Sequence, residues 1–196
     1  MISLHNFIVK PIKQRYNNKK QIAGKELILN TDMSDHNFVS REAEVIAVPK
    51  LFRSSIKPGM KVIVHHNVFR RFYDIRGNEK NSKSYFKDDL YFVYPDQVYM
   101  YFDTEWKALN GYCFVQPIEK LSENLFDIQA EEPLKGLVSH KDSSRVVEVG
   151  ELVGFTPHSE FEFIIDKQRL YRVPLNSISI KYERKGTERP YNKSWV

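Results

Sequence analysis

The chain has 196 residues, of which 41% are hydrophobic and 28% charged, with a net charge of +5; this composition is that of a folded globular protein and excludes disorder throughout. No apolar run approaches the ~20 residues needed to cross a bilayer, and Lys10, Lys13, Arg15, Lys19 and Lys20 interrupt the first twenty positions, which argues against membrane insertion and a signal peptide. Cys113 is the single cysteine, so no internal disulfide or multi-cysteine zinc site is available, and a reducing, cytoplasmic setting fits.

Apolar residues recur with period two, as in Lys61-Val62-Ile63-Val64, Glu160-Phe161-Glu162-Phe163 and Ser177-Ile178-Ser179-Ile180. That is the pattern of half-buried strands, and no long stretch carries the 3.6 period of an amphipathic helix, so the fold class is predicted as all-β. The first predicted strand, Phe7-Ile8-Val9-Lys10-Pro11-Ile12, leads into a polar segment, Gln14 to Val39, with Leu27-Ile28-Leu29 at its middle. An apolar triplet in a solvated loop needs a surface to bury against, which suits an anchor that orders on binding. The competing reading makes Lys25 to Asn30 a core strand between two turns.

Ala43 to Val48 forms the next strand, and a turn at Lys57-Pro58-Gly59-Met60 feeds the strand Lys61 to Val64. The following pair, His65-His66, would point to opposite faces of a strand, so it is not expected to hold one ion. His5, His36, His140 and His158 lack ligand spacing, and no metal site is predicted. Arg70-Arg71-Phe72-Tyr73, followed by Arg76, Lys80, Lys83 and Lys87, interleaves basic and aromatic residues in a way that could hold single-stranded nucleic acid by phosphate contact and stacking. The same run also suits a solvated hairpin with its tip at Arg76-Gly77-Asn78. Strands at Leu90 to Val93 and Val98 to Met100 end the first half.

The second half repeats the first. Cys113-Phe114-Val115-Gln116-Pro117-Ile118 matches Phe7 to Ile12 at an offset of 106, Glu148 to Phe155 matches Lys57 to Val64 at 91, and Leu170 to Val173 with Ile178 to Ile180 matches Leu90 to Val93 with Val98 to Met100 at 80. Three blocks in one order point to a duplication joined near Phe102 to Gly111. The falling offsets put about 15 extra residues before the front copy's Gly turn and 11 more before its last strands, where loops accept insertions. The excess of basic residues also lies in front: residues 1–105 hold 17 Lys/Arg against 12 Asp/Glu, and residues 106–196 hold 13 of each.

A strand ending in Pro, a long polar loop with a small apolar cluster, the strand Ala43 to Val48, the block Lys57 to Val64 and the closing Leu-Tyr-Phe-Val and Val-Tyr-Met strands together resemble the GroES-type co-chaperonins. The resemblance implies two tandem GroES-like irregular β-barrels, residues 1–105 with a mobile loop at about 14–39 and a shorter one at 106–183, then a flexible basic tail, 184–196. It is similar to the tandem co-chaperonins of chloroplasts. Only Pro49 to Lys57 and Ser139 to Glu148 occupy the places of the family's roof hairpin, a reduction similar to that of some phage-encoded members. In the back half, Leu125-Phe126-Asp127-Ile128 stands where a docking tripeptide would sit, with an aspartate inside it.

By that resemblance the chain is expected to be no enzyme. It would form a homo-oligomeric ring that caps a GroEL-type chaperonin in a bacterial or phage-infected cell, docking through Leu27, Ile28 and Leu29, with ATP bound by the partner. No cofactor is expected: there is no G-x-S-x-G, Walker loop or G-x-G-x-x-G. The alternatives are a nucleic-acid-binding module using Arg70, Arg71, Phe72 and Tyr73, or a structural protein on the duplicated fold.

Overall fold

The computed structural model describes residues 2–16, 19–22, 25–28, 38–120 and 130–193, of which 19–22 and 25–28 are described by backbone alone. The chain is all-β, and among the described residues its helical turns are short 3-10 segments such as Pro95–Gln97 and Leu175–Ser177. No helix is long and apolar enough to cross a membrane. The chain divides into two compact units, Met1–Glu105 and Trp106–Val196.

The first unit contains β1 (Phe7–Pro11), β2 (Lys19–Ile22), β3 (Lys25–Ile28), β4 (Glu42–Ala47), β5 (Lys61–Val64), β6 (Arg71–Tyr73), β7 (Glu79–Asn81), β8 (Tyr85–Lys87), β9 (Leu90–Val93) and β10 (Val98–Phe102). Its main sheet runs β10-β5-β4-β1-β9-β8 within the unit, with antiparallel neighbours throughout. The second unit opens with β11 (Trp106–Ala108) and continues with β12 (Tyr112–Glu119), β13 (Glu131–Lys141), β14 (Leu152–Phe155), β15 (Phe161–Ile165), β16 (Gln168–Pro174) and β17 (Ile178–Tyr182). Its sheet runs β17-β14-β13-β12-β16-β15, also antiparallel.

The two orders are the same, and so is the register. Val9 faces Val45 and Tyr91 as Val115 faces Val138 and Tyr171. The β1–β4 ladder shifts between Ile8 and Val9, and the β12–β13 ladder shifts between Phe114 and Val115. Val64 faces Val98 as Phe155 faces Ile178. Before β5 the Gly59 amide donates to Val45 O at 2.7 Å, and before β14 the Gly150 amide donates to Val138 O at 2.8 Å. Both glycines have φ near the same value, +86° and +87°, a backbone region that a Cβ disfavours by about 1–2 kcal/mol.

Of the expected irregular β-barrels the all-β class is observed, but the two ends of each sheet order are not hydrogen-bonded to one another, so neither sheet closes into a barrel. The edges explain this. β8 is three residues long, and the edge strands of the second unit carry Glu162 and Lys181, features that discourage further strand pairing. The described part of the tail is bonded to the second sheet. Arg189 O accepts from the Glu119 amide at 2.8 Å and the Tyr191 amide donates to Pro117 O at 2.9 Å, so residues 189–191 satisfy the far end of β12. Residues 184–193 thus belong to the second unit; Trp195 lies outside the described residues.

The core of the second unit gathers Cys113, Val115, Val138, Val147, Val153, Tyr171 and Val173. Beside it Arg169, only 1% exposed, is saturated: Nη1 meets Glu131 at 2.5 Å, Nε meets Glu162 at 2.7 Å, and Nη2 donates to the Tyr171 hydroxyl, which donates to Glu131 at 2.8 Å. Such a cluster is costly to break by removing a carboxylate, because the Arg169 charge stays buried.

Two outcomes follow from this packing. At Gly136, in β13, a Cβ would meet Gln116 O at 2.4 Å and Val115 Cγ1 at 2.6 Å. Gly136→Ala should therefore destabilise the second unit by roughly 1–3 kcal/mol, read as a lowered unfolding midpoint in urea. Burial pushes the Cys113 thiol up to about 12, so the reactive thiolate is suppressed at neutral pH. Cys113 should resist iodoacetamide in the folded chain and react at once on unfolding; rapid labelling of the folded chain would contradict this packing.

Candidate functional site

The two units differ most in their connections. Between β5 and β8 the first unit has residues 65–84, and between β14 and β15 the second has residues 156–160. The longer connection starts with a 3-10 turn, His66–Val68, capped by His65, whose Nδ1 accepts from the Asn67 amide at 3.0 Å. The two histidine rings lie 4.2 Å apart rather than on opposite faces, because His66 has already left the strand for the turn. Among the described residues no group of three His, Cys, Asp or Glu side chains could hold a metal ion.

The turn is fixed by burial. Val68 and Phe69 are fully buried, and the Phe69 ring meets Tyr91 edge-on at 4.9 Å. Arg15, from the segment after β1, donates through Nε and Nη2 to Phe69 O at 3.1 and 3.0 Å and through Nη1 to Asn81 Oδ1 at 2.7 Å. It thereby clamps both strands at the base of the β6–β7 ribbon, a role for Arg15 that the sequence pattern did not signal.

Arg70, Arg71, Phe72 and Tyr73 are separated by strand alternation. Arg71 is structural on three counts: its amide donates to the Tyr16 hydroxyl at 2.7 Å, its guanidinium lies 5.0 Å from the Tyr16 ring centre, and Nη1 pairs with Glu79 at 2.9 Å. Tyr73 is exposed. Arg70 and Phe72 instead line a half-open cavity of about 610 Å³, together with Lys83 from the same connection and Asn6, Phe92 and Tyr94 from the sheet. That volume is in the range of ligand pockets. Its wall is set by Ser82, whose hydroxyl donates to Val68 O at 2.6 Å and accepts from the Ser84 amide at 3.3 Å.

Two polar atoms of the lining, Arg70 Nε and Asn6 Oδ1, are buried with no hydrogen-bond partner. Arg71 Nε, outside the lining, shares this state, so what sets the cavity apart is its lining of two cations and three rings. None of the residues lining it is acidic. Phe92 and Tyr94 were legible in principle, since in β9 Tyr91 and Val93 are buried and the alternate positions face outward.

The anchor triplet is divided. Leu27 and Ile28 belong by backbone to β3, which pairs with β2 in a separate two-stranded ribbon, Lys20 opposite Leu27 and Lys19 opposite Ile28. Leu29 lies outside the described residues, as does Leu125-Phe126-Asp127-Ile128. The segment is thus a strand, but not one of the main sheet. In place of roof hairpins, no strand forms between Ala47 and Lys61 or between Lys141 and Leu152.

Compared with known proteins, the chain matches no family model and no curated sequence.

The ribbon tip carries a pH-dependent element. Asp74 Oδ1 accepts from the Arg76 and Asn78 amides, each at 2.9 Å, with Lys80 Nζ at 3.7 Å. The Asn78 amide foremost, with Arg76 and Lys80, holds the carboxyl below the ordinary aspartate value of 3.8 and outweighs the opposing effect of burial. A depressed carboxylate stabilises the tip above its ordinary value and ceases to do so as pH falls through its folded value. Amide exchange at Arg76 and Asn78 should therefore lose protection on acidification through that window, and Asp74→Asn should remove the pH dependence.

Proposed function

We propose that the chain is a co-chaperonin of the GroES type, with two GroES-like units in tandem, that oligomerises and caps a GroEL-type chaperonin during ATP-dependent protein folding. The observation that carries this reading is the repeated frame. Each unit strings together a strand containing or ending in Pro, a connection, a second strand, a glycine turn at positive φ, a third strand, and a last strand pair around a 3-10 turn. That is the order from which the resemblance was drawn.

The docking element is the first unit's β1–β4 connection, which carries Leu27, Ile28 and Leu29 on or beside a ribbon separate from the main sheet. Three aliphatic side chains gain roughly 1.5–3 kcal/mol each on full burial, offset by the cost of ordering the segment. One connection therefore binds weakly, and several acting together from one ring bind usefully. The chain supplies no ATP chemistry in this reading; the chaperonin does.

Native mass spectrometry of the full chain with a GroEL-type chaperonin tests the reading. Association should require ATP, and the triple change Leu27→Ser, Ile28→Ser, Leu29→Ser should reduce it at least tenfold with an unchanged thermal midpoint. A chain that never joins the chaperonin overturns the reading. A stable homo-oligomer that also leaves chaperonin ATPase unchanged would leave a structural role on the duplicated fold.

A further inference from the structure

The cavity of the first unit is not needed for capping, and its chemistry is specific. It combines two cations, Arg70 and Lys83, with the side-chain amide of Asn6, and none of its lining residues is acidic. Three rings, Phe72, Phe92 and Tyr94, complete it. The occupant that suits such a lining carries an anionic group of acceptor oxygens and a flat face for stacking.

We propose that this cavity binds a nucleotide unit, with the phosphate on Arg70 and Lys83 and the base stacked on the aromatic side chains. Arginine is well suited to phosphate oxygens and base–aromatic stacking is tolerant of sequence. The unit could arrive as a free 5′-nucleotide or within a single strand, since both present the same base and phosphate.

The second unit acts as an internal control. By register, the positions of Asn6, Phe92 and Tyr94 are taken there by Tyr112, Arg172 and Pro174. The Arg172 guanidinium lies 4.6 Å from the Tyr112 ring centre and 5.6 Å from that of Phe161. In one copy, cation and ring stack on each other. In the other, the cation and rings line a cavity, and the cation comes from the longer connection. A feature built only where the chain has been lengthened is the kind that a ligand site requires.

The test is calorimetric titration of the full chain with 5′-AMP, adenosine, inorganic phosphate and a six-nucleotide RNA strand. The expected result is one saturable site for 5′-AMP, with adenosine and phosphate each at least tenfold weaker, because each offers only part of the occupant. Arg70→Gln and Phe72→Ala should each weaken binding about tenfold, at the lower end of what a stacked base contributes. Phe72 is 47% exposed, so Phe72→Ala keeps the test decisive if Arg70→Gln fails to fold. Tighter binding of the strand, with a log–log salt slope of about −0.7 for the one phosphate contacted, would support the proposal and identify a single strand as the source. Equal affinity would support it with a free nucleotide as the source. No saturation by 5′-AMP or by the strand up to about 1 mM, or binding unchanged in both variants, overturns it. The result does not depend on chaperonin association, so either reading can fail alone.

Discussion

The interior strand of each sheet, β1 or β12, is bonded along both edges and has no solvent-facing side over its central residues. Phe7, Ile8 and Val9 are consecutive, and all are buried, as are Cys113, Phe114 and Val115. A strand in that position cannot slip by one residue without exchanging the environments of two packed faces. The shift at Ile8/Val9, repeated at Phe114/Val115, is therefore a fixed feature of the frame. It sets where β4 and β9, or β13 and β16, align, and the glycine turn hooks back onto β4 or β13 through Val45 O or Val138 O.

This constraint also explains which parts were readable from sequence. Strands β1, β4, β5, β9 and β10 and their counterparts carry apolar residues at period two or in short runs, and Gly59 and Gly150 mark turns that only glycine enters without strain. The offsets were legible because ladder register allows few insertions inside the frame. Sheet closure was not legible, because alternation reports which face of a strand is buried and is silent on whether the edge strands meet. The attachment of residues 189–191 was hidden for a related reason: it is made by backbone groups, which every sequence supplies alike.

The candidate site illustrates a different limit. Arg70-Arg71-Phe72-Tyr73 was conspicuous as a run, yet a run is a chain neighbourhood and a cavity is a spatial one. Alternation gives Arg71 to Tyr16 and Glu79 while Phe72 joins Arg70, and the remaining walls come from Asn6, Phe92 and Tyr94. Arg15 was still less conspicuous, one basic residue among several in a polar segment. Its importance comes from the three hydrogen bonds it donates to Phe69 and Asn81.

Because the frame is repeated, what distinguishes the two units must reside in what was added to one of them. The charge follows this division. Residues 65–84 hold Arg70, Arg71, Arg76, Lys80 and Lys83 against Asp74 and Glu79, and residues 12–41 hold Lys13, Arg15, Lys19, Lys20, Lys25 and Arg41 against Glu26, Asp32 and Asp35. The basic character of the first unit thus belongs to its two long connections and not to its sheet. One connection bears the apolar triplet and the other the cation and ring that line the cavity, and Arg15 ties the root of the first to the base of the second. The longer connection is therefore anchored by buried Val68 and Phe69 at its base and places Arg70, Phe72 and Lys83 at the cavity wall.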